Sequence, residues 1–141
     1  MSLLGRLRDL ARKRESPALT PDAPGLVIVA EAFDPAVADS AVLTNSPGWV
    51  ASAPAVFVHH LSLPPERVAE AAAILAQDGW ELREQGPDGD RVLVHALRVQ
   101  VLDALHCAQE RSRMAGLAQR LGGDALGWDA RQPGESPTAS A

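Results

Sequence analysis

His59, His60, His95 and Cys107 are the side chains of this 141-residue chain best suited to metal binding or to acid–base and nucleophilic chemistry. The adjacent pair His59-His60 invites a metal site. It sits in the run Val56-Phe57-Val58-His59-His60-Leu61-Ser62-Leu63, however, which has the pattern of a strand. Neighbouring residues of a strand point to opposite faces, so the two rings cannot share one ion. If Phe57, Leu61 and Leu63 face the core, His59 joins them and His60 faces the other side. The same parity on the strand around His95 puts Leu93, His95, Leu97 and Val99 on the core face. His59 and His95 are then expected close together across neighbouring strands, hydrogen-bonded rather than ligating. Neither these histidines nor His106 and Cys107 have metal-ligand spacing. Cys107 falls on one helical stripe with Met114, Ala118 and Leu121, which reads as a small core thiol. Asp88 and Asp90 lie in a turn signal and are read as solvated turn residues. The chain has no GxSxG, P-loop, GxGxxG or HExxH motif. No catalytic, cofactor-binding or metal-ligating residue is assigned; a site built from His59, His95 and Cys107 is the weakest reading.

The elements that must position these residues follow from periodicity and punctuation. Residues 2–15 read as a basic amphipathic helix, with Leu3, Leu4, Leu7, Leu10 and Ala11 on one stripe. Residues 16–25 carry three prolines and read as a linker. Residues 26–54 form an N-terminal extension of a short strand at 26–30, a helical turn at 35–40 capped by Asp34 and started by Pro35, and a loop. The main unit spans 55–131. It comprises a strand at 55–63, a helix at about 65–78 stopped by Gly79, strands at 80–85 and 91–99 around a Gly86-to-Asp90 turn, a helix at about 103–121, and a strand at 126–131. The order strand-helix-strand, strand-helix-strand is the α+β, ferredoxin-like βαββαβ pattern: an antiparallel sheet with two helices on one face. From Gln132 the tail is polar and proline-containing, and is expected to be disordered.

Bulk properties narrow the function classes. The 46% apolar content supports one real core, and no apolar run approaches the ~20 residues of a membrane span. Leu3 to Leu10 are interrupted by charge, so no secretory signal is read there, and a lone cysteine fits a reducing cytoplasm. The net charge of −5 divides into about +3 over residues 1–15 and −8 over the remainder. An acidic body argues against direct nucleic-acid binding, which needs clustered cations. The basic segment 2–14 gains about 3 kcal/mol at an anionic membrane, weaker than millimolar and at most a transient contact.

The sheet face away from the helices is expected to carry Val56, Val58, His60, Val92, Val94 and Ala96. That is too apolar to stay bare. It must be covered by the N-terminal extension, by a second copy or by a partner. His60, Val58, Trp128 and Asp129 are the candidate partner-binding residues, since tryptophan is enriched at binding hot spots. Alternatively, Trp128 and Trp80 serve as core or sheet-edge anchors.

The run His59-His60-Leu61-Ser62, the segment Asp78-Gly79-Trp80-Glu81, the Asp88-Gly89-Asp90 turn, and Met114 through Trp128 resemble, in order and spacing, the RraB family of regulators of ribonuclease E. The resemblance covers about residues 55–130. It departs at Ala125 and Leu126, where the family pattern has an aromatic and an acidic residue. It implies a ferredoxin-like fold in a cytoplasmic, non-enzymatic protein without a cofactor, whose partner is a ribonuclease E-type nuclease that it inhibits or modulates. A homodimer binding a small ligand on the open sheet face is the alternative.

Overall fold

The computed structural model describes residues 18–134. The helix expected over 2–15 and the end of the polar tail lie outside them. The described chain is an α+β arrangement of a five-stranded antiparallel sheet and three helices. In chain order these are β1 (Leu26–Ala32), α1 (Asp39–Thr44), β2 (Pro54–Leu63), α2 (Val68–Ala76), β3 (Glu81–Asp88), β4 (Arg91–Val101), α3 (Ala104–Arg120) and β5 (Asp124–Pro133). The sheet order is β1-β5-β2-β4-β3, with every neighbouring pair antiparallel. Among the described residues no helix is long and apolar enough to cross a membrane.

Local chemistry explains the boundaries. β2 is central, and eight of its ten residues are buried, with His60 partly so and Pro54 exposed; this suits a continuous apolar run. Pro65 opens a single 3-10 turn that leads into α2. Asp103 caps α3 by accepting the His106 amide at 2.7 Å. That backbone bond holds the Asp103 carboxyl below its ordinary pKa. Gly79 and Gly122 follow α2 and α3 with φ near +80°, the left-handed conformation that ends helices. The N-terminal helix starts later than its sequence suggests. Asp34 accepts the Ala36 amide at 2.9 Å and closes only a turn, and α1 begins at Asp39.

The main core lies between one sheet face and the helices. Phe57, Leu61, Leu63, Val94, Ala96 and Trp128 from the sheet meet Leu43, Leu75, Met114 and Leu117 from the three helices. Each fully buried aliphatic side chain of this kind contributes roughly 1.5–3 kcal/mol of transfer free energy.

Three expectations change. First, His60 pairs directly with His95, and His59 with Ala96. His95 therefore shares the open face with His60, while Val92, Val94 and Ala96 face the helices. The apolar residues of β4 fall on both faces, so its own alternation could not fix the parity; the register to β2 does. Second, the 16–25 segment is more than a linker where it is described. Leu19, with Leu26 at the start of β1, packs on the buried cluster of Val56, Val58 and Leu97, and Asp22 receives two hydrogen bonds from Arg83 at 2.8 and 3.0 Å. Third, β5 runs on to Pro133. Gln132 is buried there and bonds both the amide and the carbonyl of Val50.

Candidate functional site

The chemistry-bearing residues fall into two groups separated by the sheet. On the open face, His60 Nε2 lies 2.6 Å from Asp129 Oδ2. Arg131, two residues along β5 and on the same face, donates to both Asp129 oxygens at 2.8 and 3.2 Å. Asp129 is only 1% exposed. Burial pushes its carboxyl up, but the hydrogen bonds from His60 and Arg131 outweigh this and leave it below its ordinary pKa. His95 packs on His60 with ring centroids 4.2 Å apart. Burial, the His60 ring and the Arg131 cation push His95 down to about 4. Phe33, just beyond β1, sets its ring edge-on to His60 at 4.9 Å and remains 43% exposed. Gly127 makes this approach possible. A Cβ there would collide with the Ala32 carbonyl and the Phe33 ring.

On the helix face, His59 sits between aromatic rings: Phe57 at 4.4 Å and Trp80 at 5.2 Å. Burial first, then the cations around it, push the ring down to about 3, so it is neutral near pH 7. Its Nε2 is buried without a hydrogen-bond partner among the described residues. The ring lines a cavity of about 210 Å³ with Arg111, Ala115, Ala125 and Leu126. Arg111 is held by Asp39 at 2.8 Å, and the Trp128 indole donates to that same carboxylate oxygen at 3.1 Å.

These placements settle which residues can act together. His59 and His95 lie on opposite faces, so the site that would unite them with Cys107 does not form. Cys107 is fully buried in the helix-face core, and desolvation pushes its thiol up to about 12. Ser62, which shares the open face with His60, donates instead to Asp88 at 2.6 Å. Asp88 is thus a hydrogen-bonded strand-end residue rather than a freely solvated one. Among the described residues no group of three or more metal-ligating side chains is close enough to hold an ion. The open-face cluster is an ionised carboxylate clamped by an imidazole and a guanidinium, with an exposed aromatic ring beside it. It can present a rigid polar and aromatic surface.

Of the four residues expected to meet a partner, His60 alone has a side chain that reaches the surface, at 16% exposure. Val58 lies beneath Leu19, Trp128 is in the main core, and Asp129 is behind His60. In this conformation those three can influence a partner only through their neighbours. Phe33 and Arg131 were not singled out by the sequence. Arg131 carried a signal, the i, i+2 spacing to Asp129 on one strand, whereas the Phe33 contact depends on how the chain leaves β1.

A family model described as regulator of ribonuclease activity B, RraB, matches residues 42–130. No curated protein and no solved structure matches the chain.

Proposed function

The chain belongs to the RraB family, regulators of ribonuclease activity, and from that premise we propose that it is a non-enzymatic cytoplasmic protein that binds a ribonuclease E-type endonuclease and dampens or redirects its RNA cleavage. The observation that carries this reading is the family match over residues 42–130, which spans β2 to β4, α2 and α3 and the larger part of β5. The strand order β5-β2-β4-β3, with α2 joining β2 to β3 and α3 joining β4 to β5, supports reading this region as ferredoxin-like, with β1 as an added outer strand. An acidic body favours contact with basic protein segments over contact with RNA itself. The contact surface includes His60 with the exposed Phe33 beside it.

Open-face ligand binding has lost its motive, because Leu19 and Leu26 already cover Val56 and Val58. The test is co-purification of the full chain with the host ribonuclease E, followed by an RNA cleavage assay with increasing amounts of the chain. Binding at micromolar concentration with a changed cleavage rate or product pattern is expected. Absence of both would remove the reading.

A further inference from the structure

β1 and β3 are the two outer strands of the sheet, and they differ in a way that bears on partner binding. An outer strand presents a row of unpaired backbone groups and usually carries charges or proline that discourage pairing. β3 has that protection: its sequence Glu-Leu-Arg-Glu-Gln-Gly-Pro-Asp is mostly charged or polar and includes Pro87. β1 reads Leu-Val-Ile-Val-Ala-Glu-Ala, with one charge in seven residues and no proline. Its Val27 and Ile28 are 47% and 52% exposed. Among the described residues its only strand partner is β5. The one guarding device is a bulge between Ile28 and Ala30.

Beside β1 runs a trench. Three cavities, of about 520, 410 and 240 Å³, follow one another along the strand. Val50 and Pro47 line the first, Pro47 and Val37 the second, and Val37 and Phe33 the third. The trench ends at two carboxylates, Glu31 and Asp34, which form no ion pair among the described residues. The apolar walls thus lie parallel to an open row of backbone donors and acceptors and finish in negative charge.

We infer that β1 docks an extended segment of the ribonuclease partner as a sixth strand. Alternate apolar side chains of that segment would enter the trench, and an arginine or lysine would meet Glu31 and Asp34. Main-chain pairing would supply affinity, and the trench and the carboxylates the specificity. A second copy of this chain fits less well, because it brings the same acidic end and another net charge of −5. The inference rests on the ribonuclease reading above and specifies where that partner is met.

The test uses the full chain and the host ribonuclease E. Ile28→Glu combined with Val37→Glu places charge in the trench at two exposed positions, and Val101→Glu, exposed at 52% on β4, is the control. The double variant is expected to bind roughly tenfold or more weakly, the change produced by about 1.4 kcal/mol, with the control unchanged. Both should melt close to the parent. Hydrogen exchange should show β1 amides, and not β3 amides, slowing in the complex. If the parent chain does not bind at all, the ribonuclease reading fails and the docking falls with it. If the parent binds and the double variant binds equally well, only the docking is overturned. Protection confined to β3 overturns it as well. So does slow β1 exchange in the free chain that is relieved by deleting residues 1–17 or by dilution, since β1 is then occupied by its own N-terminal segment or by a second copy.

Discussion

His59 should make this protein lose stability in mild acid, well above the range where carboxylates titrate. Its folded-state pKa is pushed down to about 3 from an ordinary 6.5, because protonation would place a charge in the core among Phe57 and Trp80. Below about pH 6.5 the unfolded chain binds a proton at this ring and the folded chain does not, so stability falls as pH falls through that window, by up to ~1.4 kcal/mol per pH unit. Between about pH 7 and about pH 5 the loss from His59 is about 2 kcal/mol. His95, pushed down to about 4, acts in the same direction. It is partly exposed, and after allowance for solvent screening it adds about 1 kcal/mol. Asp129 does not interfere: its lowered carboxyl contributes stability above the ordinary carboxylate range and loses it only as pH falls below that range. The assay is urea unfolding at the two pH values on the parent and on His59→Gln, which keeps a polar side chain but cannot titrate. The variant should lose about 2 kcal/mol less than the parent between the two conditions. Equal pH sensitivity in both proteins, or none in the parent, would refute the burial argument.

Three further outcomes follow from the packing. Leu61→Ala, at a fully buried β2 position, should cost about 2–5 kcal/mol in chemical denaturation; a loss under about 1 kcal/mol would mean that the helix-face assignment is wrong. Asp39→Ala strips the partner from both Arg111 and the Trp128 indole and should cost about 3 kcal/mol, with a change in tryptophan fluorescence that Asp39→Asn partly restores. Gly127→Ala adds a Cβ against Ala32 and Phe33 at a φ of 148° and should cost about 3 kcal/mol or more; a thermal melt within two or three degrees of the parent would show that the Phe33–His60 approach is not rigid.

What the sequence reveals and what it hides divide along a physical line. Local signals are legible: Gly79 as a helix end and the stripe carrying Cys107 and Met114 each depend on a few residues of one helix. The face of β4 was not legible, because Leu93 and Leu97 on one side and Val94 and Ala96 on the other satisfy either parity. The later start of α1 and the packing of Leu19 on Val56 and Val58 were hidden for a similar reason. Both depend on long-range contacts, and a proline-rich stretch reads as linker whether or not its leucine finds a surface.

That ambiguity explains why polar side chains sit so deep in the sheet. β2 is buried on both faces, so hydrophobicity alone scarcely distinguishes its correct pairing with β5 from one displaced by a single residue, although such a slip exchanges every side chain between faces. Asp129 resolves the choice. In the observed register it meets His60 and Arg131 on the open face. Displaced by one, it would enter the main core with Arg131 and without His60, and Trp128 would leave Phe57 and Asp39 for the open face. Moving this charged pair into the apolar core costs several kcal/mol of desolvation, more than the differences among aliphatic contacts. The bulge between His60 and Leu61 sets Gly127 against His60, leaving the space that Phe33 fills. The adjacent histidines therefore serve two sides of one sheet. His59 closes the aromatic core, and His60 fixes the strand register that keeps Asp129 with its partners and presents the aromatic edge to solvent.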